Sequence, residues 1–179
     1  MSEIVKRFKK LAFYGVPLSD GKSVSYKRMK GFDTISTAKN PKEYSRQYID
    51  EEFEQTDVVG YTPVISFGFD QFTDNAVHTD IAAIFDGEKT GSDAVRSILI
   101  VDMSNDNAAI KRDFAVVAET EGDKTDAYTY SGSFRAKGAS SFGTAVTLDD
   151  WQTATFVEKQ GTGTADITDV TDVTDVTEE

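Results

Sequence analysis

The chain has no cysteine, a single histidine (His78) and only three prolines in 179 residues. Without thiols there is no disulfide framework, no thiolate metal site and no cysteine nucleophile. That fits folding in a reducing cytoplasm, although an exported cysteine-free protein would look the same. A Ser-His-Asp triad would have to run through His78, and no Gly-x-Ser-x-Gly turn is present to carry its serine. No stretch approaches the roughly 18 apolar residues of a membrane span. The early apolar run Leu11-Ala12-Phe13-Tyr14 is short, sits against Lys9 and Lys10, and ends at Pro17 without a small-x-small cleavage site, so it is not read as a signal peptide. A net basic domain is missing as well. The formal charge is -12, distributed as +6 over residues 1–30, -12 over residues 31–159 and -6 over the last twenty. Nucleic-acid affinity comes largely from neutralised phosphates, so most of this surface would repel DNA.

What is present is a β-rich core. Hydrophobic residues make up 39% of the chain and aromatics 11%, including 12 Phe and 7 Tyr, enough for one domain. Val24 and Tyr26 alternate with polar residues toward Met29, Phe32 and Ile35. Residues 47–61 are rich in β-branched and aromatic side chains. Ile65, Phe67, Phe69 and Phe72 interleave with polar residues, and further strand patterns cover 114–117, 128–134, 142–148 and 151–157. The continuous run Ile98-Leu99-Ile100-Val101 predicts a strand buried on both faces. Turns are expected at Asp86-Gly87, Asn105-Asp106-Asn107, Glu121-Gly122-Asp123 and Gly138. One segment has helical spacing: Val77, Ile81, Ile84 and Phe85 share a face, with Asp74 or Asn75 as N-cap and Asp86-Gly87 as the stop. The prediction is a mainly β fold, a sandwich or barrel of seven or eight strands with one packed α-helix, over residues 1–159. Residues 37–48 are polar, contain Pro41, and read as a long loop of the kind that binds partners or simply covers surface. Residues 160–179, built on Asp-Val-Thr repeats, read as an acidic tail without regular structure.

Candidate chemical sites have ordinary explanations. His78 with Asp80 supplies two ligands at most, and a surface or capping histidine is the expected role. Acidic pairs such as Asp50-Glu51-Glu52 and Asp149-Asp150 would suit glycoside hydrolysis only at a defined separation. Asp102, Ser104 and Asp106 follow a calcium-loop spacing, but Asn107 stands where that loop needs Gly, so a hairpin turn is expected. Gly161 and Gly163 lack the Lys and third Gly of a phosphate loop. No catalytic, metal or cofactor site emerges.

Four stretches carry a resemblance: Lys39-Asn40-Pro41-Lys42-Glu43-Tyr44-Ser45-Arg46-Gln47-Tyr48-Ile49-Asp50-Glu51 with Thr56-Asp57-Val58-Val59-Gly60-Tyr61; Thr90-Gly91-Ser92-Asp93-Ala94; Tyr130-Ser131-Gly132 with Gly138 and Phe142-Gly143; and Asp150-Trp151-Gln152-Thr153-Ala154-Thr155-Phe156. Together they make the chain similar to the major tail tube proteins of long-tailed bacteriophages of Gram-positive hosts, siphophages and myophages, and to related phage-like particles. The resemblance spans residues 1–159 and leaves the Asp-Val-Thr tail outside. It implies a β-sandwich flanked by a helix, hexameric rings stacked into a hollow tube in the virion tail, and DNA passing through without specific binding. The implied partners are further copies of the chain, tail tip or baseplate and tail terminator proteins, and a tape measure protein in the lumen, with assembly in the host cytoplasm. The resemblance assigns an inter-ring loop in which Asn40, Pro41, Tyr44, Arg46, Tyr48, Asp50, Glu51, Asp57 and Tyr61 are the expected contact residues. Edge strands would pair between neighbours into an inner barrel, with residues 93–101 and 114–118 among its central strands. A lumen lined by carboxylates would let duplex DNA slide. A different class, a monomeric carbohydrate-binding or adhesin-like sandwich, would use Trp151 and Tyr128 for sugar stacking.

Overall fold

The computed structural model describes residues 4–159. A short 3-10 turn, Arg7–Lys9, leads into β1 (Lys10–Pro17), followed by β2 (Val24–Arg28), β3 (Phe32–Ala38), β4 (Pro41–Arg46), β5 (Gln55–Tyr61) and β6 (Val64–Asp70). The single helix α1 (Ala76–Asp86) and a second 3-10 turn, Gly91–Ala94, precede β7 (Val95–Asp102), β8 (Ala108–Glu121), β9 (Thr129–Val146) and β10 (Thr153–Glu158). Eight strands form one antiparallel sheet in the order β10-β2-β1-β7-β8-β9-β6-β3, and β10 also pairs with β9. That last pairing closes β10-β2-β1-β7-β8-β9 into a barrel, while β6 and β3 extend from the first half of β9 as a wing. The fold is mainly β with one packed helix, as the sequence predicts.

Two apolar clusters follow from strand alternation. Leu11 and Phe13 of β1, Leu99 and Val101 of β7, Ala109 and Ala145 fill the closed barrel, with Trp151 and Phe156 packed against them. From the opposite faces of the same strands, Tyr14 and Ile98 join Phe67, Phe69, Phe134 and the helix residues Val77, Ile81 and Phe85. The run 98–101 is thus covered on both sides, because β7 separates the two clusters. The helix begins where Asn75 accepts hydrogen bonds from the backbone N–H groups of Val77 and His78, and stops at Gly87.

Two expectations change, and one run outside the predicted strands finds its place. The run Leu11-Ala12-Phe13-Tyr14 lies in a central strand, paired with β2 on one side and β7 on the other. The segment read as a polar loop becomes, after Ala38, one arm of a two-stranded hairpin, β4 against β5. Gly138 does not separate two strands: β9 runs on for 18 residues. There Gly138 takes a φ of +84°, at a bulge where Gly138, Ala139 and Ser140 face the single Arg112 of β8. With the hairpin, the described strands number ten.

His78 also departs from expectation, being fully buried rather than at the surface. Its Nδ1 accepts from the Phe72 backbone N–H (3.1 Å), which fixes the neutral tautomer with Nε2–H donating to the Lys30 carbonyl (2.9 Å). The ring stacks on Phe69 at 4.1 Å between centroids and meets Phe32 edge-on at 5.2 Å. Gly31 fits beneath it with φ +72°, and a Cβ there would lie 3.1 Å from the imidazole. Burial pushes the His78 pKa below the ordinary 6.5, against the opposing pull of the Lys30 carbonyl and Asp74. Below pH 6.5 the unfolded chain therefore binds the proton more readily than the folded one, so stability is full above 6.5 and declines as the pH falls from there. As the chain has one histidine, its imidazole gives a single NMR titration curve. That curve should have its midpoint below 6.5; a midpoint at or above 6.5 would contradict a neutral, buried ring.

Candidate assembly surfaces

The hairpin β4–β5 stands apart from the main sheet, so both its faces are open to contact. At its base Asn40, at φ +45°, donates from Nδ2 to the Thr62 carbonyl (3.2 Å), and Thr62 N–H returns a bond to the Asn40 carbonyl (3.1 Å). Pro41 then pairs with Tyr61, Tyr44 with Asp57 and Arg46 with Gln55. This register places Tyr44, Arg46 and Asp57 on one face. Arg46 is the hub: its guanidinium lies 3.1 Å from the Asp57 carboxylate and 5.8 and 5.5 Å from the ring centres of Tyr44 and Tyr48. At the tip Gln47 Nε2 bonds the carbonyls of Glu51 and Glu52, and Gln55 Nε2 bonds the Glu51 carboxylate.

All nine residues assigned to the inter-ring loop therefore fall on this hairpin or its flanks, and Tyr44, Arg46, Tyr48 and Asp57 come together around one cation. Asn40 holds the base, Pro41 and Tyr61 share a rung, and Asp50 and Glu51 sit in the tip. Tyr44, Tyr48, Ile49, Phe53, Val58, Val59 and Tyr61 are exposed large apolar residues, seven of nineteen such residues described. A merely solvated hairpin would not concentrate them in so short a segment. The apolar residues Ile49 and Phe53 stand beside the acidic Asp50, Glu51, Glu52 and Glu54. The sequence shows 47–61 to be rich in β-branched and aromatic side chains, but 37–48 reads as a loop because polar side chains occupy both faces of β4.

A second surface of opposite character lies at the start of β1. Ile4, Val5 and Phe8 are exposed, and the Lys6 and Lys9 ammonium groups lie 6.0 and 5.7 Å from the Phe8 ring centre. Arg7 and Lys10 add charge, with Lys10 tied to Asp102 at 3.0 Å. The calcium-like spacing resolves as the expected turn: Asp102 accepts from the Ser104 N–H (3.0 Å), and Asp106 and Asn107 take positive φ. Asp149 likewise serves its own turn, the Thr153 backbone N–H and hydroxyl holding its carboxyl below the usual range. Trp151 packs on Phe13 with ring centres 6.1 Å apart, so the sugar-stacking role considered for it is taken up by the core; Tyr128 remains half exposed beside Tyr130.

No protein-family model matches the chain, and no curated protein matches it. Among solved structures, the fold is similar to a chain from the tail of an empty gene transfer agent particle of C6 symmetry, with a TM-score of 0.59 and 12% identity, covering 79% of this chain and 100% of that one. A chain from the virion of the native gene transfer agent particle gives a TM-score of 0.55 at 12% identity, with the same coverage. At that identity the likeness is one of fold.

Proposed function

We propose that this protein is a structural subunit, not a catalyst, whose copies close into rings and stack into the tail tube of a phage or phage-like particle. The observation that carries the reading is the fold likeness to a chain from a sixfold-symmetric tail, over the whole of that chain. That neighbour's symmetry, together with the resemblance of residues 39–61, supports rings of six and a hollow conduit for DNA. Stacking head to tail needs two unlike surfaces that fit one another and repeat without closing. The acidic, apolar tip of the β4–β5 hairpin and the basic, apolar segment 4–10 form such a pair, so the hairpin of one ring meets the start of β1 in the next. Asn40, Pro41, Tyr44, Arg46, Tyr48, Asp50, Glu51, Asp57 and Tyr61 are the residues proposed to make or position that contact. Tail tip, terminator and tape measure proteins are the remaining partners, and part of the net negative charge lines the bore.

The test is negative-stain electron microscopy of the concentrated protein, alone and with a purified tail tip complex added as nucleus. Rings or tubes are expected, lengthened by the tip. Monomer-sized particles in both samples would end the reading.

A further inference from the structure

The sheet face that packs on α1 continues past the helix as an apolar groove of about 370 Å³. Ile65, Ile98 and Phe114 belong to the cluster beneath the helix and form the floor, but no residue of α1 lines the groove. Ile110 and Phe142 complete it and are 41% and 60% exposed, so its apolar surface is open on the single subunit. Two cations border it, Lys39 and Arg112, and neither pairs with a carboxylate of the described residues. Arg112 donates from Nη2 to the Ser140 hydroxyl at 3.3 Å, yet its Nε is buried without an acceptor among the described residues. Folded proteins leave few buried donors in that condition. The groove therefore suits an apolar side chain that brings an anion with it.

The chain delivers such a segment to the rim. Residues 155–158 of β10 pair with 146–143 of β9, and the Lys159 N–H donates to the Phe142 carbonyl at 3.0 Å. On that side of β9 the described residues leave 137–141 unpaired, until the Ala136 N–H meets the Pro63 carbonyl at 3.1 Å. The backbone beyond Lys159 thus starts beside Phe142, with an open lane ahead of it. Residues 160–179 lie outside the described residues. They hold six carboxylates and no cation, and each of Ile167, Val170, Val173 and Val176 directly follows an aspartate.

We propose that this acidic segment folds back onto its own subunit, seating Ile167 and Val170 in the groove with Asp166 and Asp169 against Arg112 and Lys39. From Lys159 to Ile167 the chain spans up to about 27 Å, ample for a groove that begins at Phe142. A tether of that length holds the segment at an effective concentration of about millimolar, so a weak contact is populated and a second copy in dilute solution competes poorly. A repeat of three residues matches the three residues per turn of a polyproline II chain. Bound in that form, the segment sets its apolar side chains along one edge and its aspartates along the next. The Asp-Val-Thr repeats, which the resemblance leaves outside, thereby become an intramolecular cover for an apolar face. The contact lies within one copy and stands independently of the ring reading.

The test is methyl NMR of the full-length subunit in dilute solution, with isoleucine and valine methyls labelled. Nuclear Overhauser contacts are expected from Ile167 or Val170 to the Ile110 methyls or the Phe142 ring. A variant combining Asp166→Asn, Asp169→Asn, Asp172→Asn and Asp175→Asn should lose them. The Ile98 and Ile110 methyl signals should shift in that variant, while those of Ile81 and Ile84 beneath the helix stay in place. The four changes lie outside the folded sheet, so the subunit's own fold is not at stake. No contact between the segment and any groove residue in the parent would overturn the proposal. Contacts that survive the four substitutions would overturn the pairing with Arg112 and Lys39. Contacts seen only between labelled and unlabelled copies in a mixed sample would give the groove to a second molecule and overturn docking within one subunit.

Discussion

Replacing Asp80 by alanine should destabilise the subunit by about 3–5 kcal/mol, the range for removing one partner of a buried ion pair. Asp80 lies on the helix, and its carboxylate receives three hydrogen bonds from two strands. Arg96 donates from Nε to Oδ2 (2.7 Å) and from Nη2 to Oδ1 (3.1 Å), and the Tyr14 hydroxyl donates to Oδ2 (2.6 Å). Arg96 also donates from Nη1 to the carbonyls of Asp93 and Val95, at 2.9 and 2.8 Å. Burial, reinforced by the charge of Asp80, raises the Tyr14 pKa well above its ordinary value, so the hydroxyl stays a donor at any physiological pH. For Arg96, desolvation works to lower the pKa, but the hydrogen bond and charge of Asp80 prevail and it is raised. Take Asp80 away and the guanidinium, 9% exposed, is left in the protein interior without a counter-charge. The double variant Asp80→Ala/Arg96→Met should be less destabilised than Asp80→Ala alone, because the orphaned charge goes with its partner. Urea unfolding of the parent and the two variants measures this, and a loss under about 1 kcal/mol for Asp80→Ala would show that the network contributes little to the fold.

That network also marks where sequence reasoning stops. Period-two alternation located β6, and the run 98–101 revealed a strand covered on both sides, because those patterns record burial residue by residue. Helix α1 was legible from its spacing and from Asn75, a local cap. Nothing local, by contrast, links Asp80 to Tyr14, which is 66 positions away. His78 looked like a surface residue for the same reason: the rings of Phe32 and Phe69 reach it from β3 and β6, and the Lys30 carbonyl from the connection between β2 and β3. β4 escaped because a strand with both faces exposed has no apolar side to betray its period, whereas β5 lies inside the strand-like stretch 47–61. β9 read as two strands because Gly138, normally a turn signal, here serves a bulge within a long strand. The candidate contact residues on the hairpin came from the resemblance of the segment 39–61, since exposure of both faces leaves no internal pattern to read.

The largest functional effect should follow removal of that hairpin. Excising residues 43–59 and joining Lys42 to Gly60 through an Asn-Gly turn, suited to a two-residue hairpin loop, keeps the base clamp of Asn40 and Thr62. No hairpin residue belongs to either buried cluster, so the shortened chain should fold with a urea midpoint close to that of the parent. A two-stranded hairpin is marginal on its own in water, and the exposed Arg46–Asp57 pair adds only about 0–1 kcal/mol. On the stacking proposed above, the next ring covers the hairpin's apolar residues, and without the hairpin stacking loses its main apolar contact. The excised protein should still form single rings, since the main sheet is intact, but no tubes. Arg46→Ala, which frees Tyr44, Tyr48 and Asp57 from their shared cation, should shorten tubes without abolishing them. Raising the salt concentration should shorten them further by screening the acidic tip from the basic segment 4–10. Tubes of normal length from the excised protein would show that the rings stack through some other surface.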